Sequence, residues 1–454
     1  MNDITAIFAF LKYCLGSKEN MSRMVAGMDW QELYSFASKQ ALLGLCFEGI
    51  ERLGKEYPEE LKQNPIGREL LMTWMGKAQQ IRRQNMKVNA VAGKLFSMLR
   101  EDGMRCCILK GQGNALMYPN PYSRTPGDID VWIRASRERI MEYAQKKFEL
   151  GDDIRLQHLE TSLDGVPVEL HFFPCSMNNP IYHARLQKWF RRNADLQCSH
   201  IVRLPDGAGD IAIPTSSFNV VYQLTHLYHH FFDEGIGMRQ IIDYYVVMND
   251  FWKVKESFSQ PSRPSLPKEG STAFPKPLSP QGTGDVTAPS RCSEPLRSKD
   301  GGPSKVSPDC AGWDRRGVSG DIASDASVSS AFTTDSSAST ALDVVQRELK
   351  YLGLWKFAGA VMYVLKEVLG LFEDKMIVPM DEKRGRLLLA EILDGGNFGR
   401  HFTKYGGFTH QSMGKKYFLK IWRNMHFVRY YPAEALCEPL FRTWHFFWRL
   451  KYKI

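Results

Sequence analysis

The sequence predicts an α+β protein: a small mixed β-sheet with helical regions on both sides and a disordered insertion. Three observations carry that expectation. Between residues 101 and 215, short apolar runs bounded by glycine and proline alternate with helical patterns. On either side, apolar residues recur at helical spacing. From 256 to 340 the composition changes sharply: Ser, Pro, Gly, Asp and Thr dominate and large aliphatics nearly vanish. Such a segment cannot bury enough apolar surface to offset its ordering entropy.

Residues 1–100 read as a helical region. Ile4, Phe8, Leu11 and Leu15 fall on one helical face, as do Leu33, Phe36, Leu42 and Leu45. Pro65 and Gly67 mark a break, and Arg68 to Leu99 forms a long helix expected to wall one side of a cleft. The 101–215 core opens with the strand Cys106–Leu109 and the turn Lys110-Gly111-Gln112-Gly113. A short helix, Asn114 to Tyr118, is stopped by Pro119 and Pro121. Next come a strand through Gly127–Ile133, a helix Arg137–Phe148, and a strand Ile154–Ser162 carrying His158. Asp164-Gly165 reads as a hairpin turn into a strand from Val166 to Phe172. Residues 216–255 return to helix, with Phe218, Val221, Leu224, Tyr228 and Phe232 as the apolar stripe. Residues 341–454 resume it, so the insertion interrupts one helical domain.

The chain has 454 residues, 43% of them hydrophobic, enough for a sizeable core in two or three domains. It contains no run of 18 apolar residues, which argues against a transmembrane helix. Its first residues do not read as a secretory signal. The nine cysteines show no Cys-x-x-Cys spacing, so reduced thiols and a cytoplasmic location are expected. The net charge of +9 is uneven: Arg400–Ile454 holds eleven Lys and Arg against Glu434 and Glu438, and the rest is neutral. This basic, aromatic segment suits nucleic acid or an anionic membrane surface, or is a solvated face on a docked helix.

The chemistry concentrates around Asp128 and Asp130. Strand periodicity puts both on one face and Ile129, Val131 and Ile133 on the other. Two carboxylates so placed repel each other unless a cation lies between them. A hard divalent ion serves, and Mg²⁺ commonly arrives with nucleotide phosphates. Gly111 and Gly113 permit close backbone approach to a ligand, while Lys110 and Arg124 can meet phosphate oxygens. Glu169 and His171 share a strand face, which offers a third acid.

The run Leu109-Lys110-Gly111, a short helix, Tyr118-Pro119 to Arg124, Gly127-Asp128-Ile129-Asp130 and Val168-Glu169-Leu170-His171 resembles the DNA-polymerase-β-like nucleotidyltransferase superfamily. More narrowly it is similar to the bacterial uncharacterised nucleotidyltransferase family. The resemblance extends weakly to Gly395-Gly396-Asn397-Phe398-Gly399. It implies an enzyme that moves an NMP group from an NTP, ATP first, to a hydroxyl acceptor, which is protein, RNA or a small molecule. Asp128 and Asp130 would hold Mg²⁺ or Mn²⁺, with Glu169 completing the metal trio and helping to activate the hydroxyl. Gly111 would take the first glycine of the phosphate turn, and His226 and Asp243 would border the cleft. Gln112 departs from the serine or glycine usual after that glycine.

Alternatives stay open at several positions. Asp243 is also spaced to pair with Arg239 on a helix. His226 and His230 are spaced to share a metal, or line a core. His171 either orients Glu169 or is structural. The rival functions are a nucleotide-binding regulator of the toxin–antitoxin kind and a peripheral membrane protein that uses Leu440–Lys451.

Overall fold

In a computed structural model, residues 3–259, 339–402 and 412–452 are described. Six helices precede the sheet: α1 (Asp3–Cys14), α2 (Ser22–Ala26), α3 (Trp30–Lys39), α4 (Leu43–Glu56), α5 (Pro58–Gln63) and α6 (Arg68–Glu101). Asp29 caps α3 by accepting from the backbone N–H groups of Gln31 and Glu32. The Leu33–Leu45 set is therefore split, because the chain breaks between Lys39 and Leu43 and Ala41 takes a positive φ of 58°.

The core then runs β1 (Cys106–Leu109), α7 (Gly111–Ala115), β2 (Ile129–Ile133), α8 (Arg137–Lys147), β3 (Leu150–Ile154), β4 (His158–Leu163) and β5 (Val166–His171). It closes with α9 (Pro180–Ser199) and a hairpin of β6 (Ile201–Arg203) and β7 (Asp210–Ala212). The large sheet has the order β1-β2-β5-β4-β3. Only β2 and β5 pair in parallel; the other neighbours are antiparallel. Asp164 and Gly165, at φ 50° and 70°, form the expected tight turn between β4 and β5.

Three boundaries differ from expectation. The single strand Ile154–Ser162 is two strands, because the Arg155 N–H bonds back to the His158 carbonyl and the chain reverses there. The short helix starts at Gly111 instead of Asn114, since Lys110 itself turns the chain with φ at 50°. The 216–255 segment breaks at Gly235 and Gly237 into α10 (Ser216–Asp233) and α11 (Met238–Ser259).

The sheet separates two cores. Ile129, Val131, Ile133, Val168 and Leu170 pack with α6 and α8 on one face. Trp132 points to the other, where it meets Phe190 of α9 and Phe218 of α10. That second core continues into α12 (Ser339–Tyr351), α13 (Trp355–Leu369) and α14 (Glu382–Gly395). The chain ends in α15 (Met413–Met425), α16 (Pro432–Ala435) and α17 (Glu438–Tyr452). All described helices lie in one contact unit. Of the insertion expected at 256–340, residues 260–338 lie outside the described residues, and α11 extends to Ser259. No described helix is long and apolar enough to cross a membrane. Seven cysteines among the described residues are free.

Candidate active site

Register builds the site. Parallel pairing sets Asp130 beside Glu169, and antiparallel pairing sets His158 beside His171. Because side chains two apart share a face, Asp130, Glu169, His171 and His158 converge. Asp128 stands one residue before β2 and is more exposed than Asp130, so the acid pair straddles the strand's end: one acid at the cleft mouth, one buried.

The acids are bridged by cations. His171 Nε2 lies 3.1 Å from both Asp130 Oδ1 and Glu169 Oε2. Lys110 Nζ lies 3.0 Å from Asp130 Oδ1 and donates to His226 Nε2 at 2.7 Å. His226 and His230 meet through their Nε2 atoms at 3.0 Å. Burial disfavours the charge on His171, yet hydrogen bonds to Asp130 and Glu169 push it up to about 9. Burial likewise opposes the Lys110 charge, and the three carboxylates outweigh it. Asp130 is deeply buried, but Lys110 and His171 hold it far below the usual carboxylate range. Asp128 goes the other way: the charge of Asp130, then desolvation and Glu169, push it up to about 6. The Lys110 cation acts on Asp128 too, but Asp130, burial and Glu169 outweigh it. The donor set therefore fits a divalent cation.

These groups floor a cleft of about 700 Å³. Lys110, Gly111, Asp128, Asp130, Glu169 and His171 line one end, as do Arg124, His226 and Asp243 at its side. Arg124 grips Asp243 through Nε and Nη2, each at 2.8 Å, and the Tyr118 hydroxyl donates to Asp243 at 2.7 Å. Asp243 thus pairs with Arg124 and not with Arg239, whose Nη1 donates to the Thr125 carbonyl. Asn85 of α6 donates to the carbonyls of Tyr122 and Arg124, which fixes the loop that leads into Asp128. Gln112 is buried and its amide donates to Asn89 of α6, away from the cleft.

The opposite wall was not legible in the sequence. Phe398, Gly399, Arg400 and Lys420 reach the cleft from far along the chain. The one signal was the glycine-rich run 395–399. Gly399 has φ 61°, and a side chain there would strike the Glu234 carbonyl, so this turn seats against the α10 end. Phe398, at φ 55°, presents its ring edge to His230 and takes the Arg239 guanidinium over its face.

A family model described as uncharacterised nucleotidyltransferase matches residues 26–257, just over half of the chain. No curated protein matches significantly. A crystal structure of an antigenic nucleotidyltransferase-like protein from Paracoccidioides brasiliensis is similar at 16% identity and a TM-score of 0.24, covering 36% of this chain and 75% of that one.

Proposed function

The chain belongs to the uncharacterised nucleotidyltransferase family, and from that premise we propose that its cleft moves a nucleoside monophosphate from an NTP, ATP first, to a hydroxyl acceptor. The observation that carries this is the convergence of Asp128, Asp130 and Glu169 at one end of a nucleotide-sized cleft. A Mg²⁺ or Mn²⁺ held by Asp128 and Asp130 supplies neutralisation of the triphosphate when bound.

The chain's own groups do the rest. Glu169 is ionised: burial opposes its charge, but the hydrogen bond from His171 holds its carboxyl below the usual value. It takes the acceptor's proton as the oxygen–phosphorus bond forms and the bond to the leaving pyrophosphate breaks. Lys110 stays cationic and, with the Gly111 N–H, faces the phosphates. Arg124, bound to Asp243 and through Nη1 to the Thr125 carbonyl, fixes the loop before Asp128. His171 orients Glu169. The Arg400 and Lys420 rim favours an anionic acceptor, RNA before a neutral alcohol.

The test is α-³²P-NTP with Mg²⁺ or Mn²⁺ and a lysate, wild type beside Asp128→Asn and Asp130→Asn. Wild type labels one acceptor class, and either variant loses at least about a hundredfold. Metal-dependent nucleotide binding without transfer would instead favour the regulator, which the burial of Gln112 supports.

A further inference from the structure

One imidazole beside the acid pair is not explained by that chemistry. His158 is 2% exposed, and neither of its ring nitrogens makes a hydrogen bond. Buried polar atoms left without a partner are unfavourable unless something binds them. Its Nδ1 stands 3.3 Å from Glu169 Oε2, the same oxygen that lies 3.1 Å from His171 Nε2. One ligand atom from each of His158, Glu169 and His171 falls within 4.8 Å of the other two.

We propose that His158, Glu169 and His171 form a site for a divalent transition metal of the Zn²⁺ and Co²⁺ class, and that this site discriminates against Mg²⁺. Metal–nitrogen and metal–oxygen bonds of about 2.0–2.2 Å put neighbouring ligand atoms roughly 3–3.5 Å apart. The observed 3.1 and 3.3 Å separations meet that spacing without backbone movement. Two ring nitrogens and one carboxylate suit borderline ions, whereas Mg²⁺ prefers an all-oxygen shell. Asp130 Oδ1, 3.1 Å from His171 Nε2, is within reach as a fourth ligand. The Asp128 side of the cleft keeps an oxygen-only donor set, so the two ends differ in the ion they take.

An ion here takes the Nε2 and Oε2 atoms that otherwise hydrogen-bond to each other, so an occupied site removes Glu169 as base; the site itself does not require nucleotidyl transfer. The experiment is Co²⁺ titration of chelator-stripped full-length protein, followed by visible absorption. Wild type binds one Co²⁺ at this site with intense ligand-field bands that millimolar Mg²⁺ leaves unchanged. His158→Gln weakens binding at least about tenfold, and Asp128→Asn leaves these bands in place. Displacement by Mg²⁺, or full affinity in a folded His158→Gln protein, overturns the site. Should that variant fail to fold, pulsed EPR of wild type loaded with one equivalent of Co²⁺ in millimolar Mg²⁺ decides: ¹⁴N couplings support the site and their absence overturns it. Bands intact with no transfer for any NTP would sink the proposed function and leave the metal site standing.

Discussion

Asp128 is the residue at which chemistry and stability pull apart. Its folded pKa of about 6 lies above the ordinary value, so the folded state holds this proton more tightly than the unfolded chain. Ionisation therefore works against folding. The penalty is absent below the ordinary carboxylate range, grows as pH rises toward 6, and is complete above it. In chelator, Asp128→Asn should melt higher than wild type at pH 7, with the gap closing toward pH 4, and added Mn²⁺ should raise wild type only. A variant that melts lower at both pH values would contradict this. Asp243 has the opposite sign. Burial opposes its charge, but Arg124 holds its carboxyl below the usual range, so its contribution is present at neutral pH and fades on acidification. Asp243→Asn leaves the buried Arg124 partly unpaired and should cost about 3–5 kcal/mol by urea denaturation. Strand periodicity singles out Asp130, Glu169 and His171, which the register of β2 and β5 does bring together; Asp128, expected on the same strand face, stands one residue before the strand. Sequence could not show which base partners Asp243, because Arg124 lies 119 residues away and the nearer Arg239 satisfies helical spacing just as well.

Elements reach the cleft through a few close approaches. Gly93, in the middle of α6, has the Ala208 carbonyl of the β6–β7 loop against it, and a Cβ there would collide with backbone. Sequence reads Gly93 as a mild helix breaker; its reason is the hairpin packed across it. Gly93→Ala should therefore destabilise by about 1–3 kcal/mol despite the better helix propensity of alanine, as a denaturant midpoint would show. The α7 boundary was misjudged for a similar reason. Gly111 takes a positive φ of 42° as the expected turn requires, but Lys110 before it does so as well, at 50°, its side chain caught between Asp130 and His226. At the other end of the chain, buried Glu434 of α16 accepts from the backbone N–H groups of Asn178 at 2.6 Å and Asn179 at 3.2 Å. Burial pushes it up to about 7 against those bonds. The two N–H donors favour the ionised form but desolvation outweighs them, so its contribution to fold stability is full below the ordinary carboxylate range and is lost as pH rises through 7. The urea midpoint of wild type should fall between pH 5 and 8 relative to that of Glu434→Gln.

At the scale of the whole molecule, the family match stops at residue 257 while the cleft does not. Its far wall comes from 398–400 and 420, and α10 packs through Phe231 and Tyr228 onto Phe357, Phe427 and Tyr431. These rings belong to a single buried cluster that also holds Phe10 of α1 and Trp132 of β2. Helical spacing announced each partner helix, but period alone does not say which apolar face meets which, so this union was beyond sequence. Two deletions separate the consequences. A chain ending at Ser259 loses α12 to α17 and exposes the aromatic face of α10, so it should show no cooperative melt and should aggregate. Replacing 262–334 with a flexible linker of about 20 residues removes a Ser- and Pro-rich segment outside the described residues and shortens the loop roughly fourfold. Loop-closure entropy then predicts a gain of about 1 kcal/mol, with Co²⁺ binding and nucleotidyl transfer retained. Cooperative unfolding of the first chain would mean that residues up to 259 form a domain by themselves. A large loss of stability in the second would mean that the insertion packs on the helical domain, against what its composition implies.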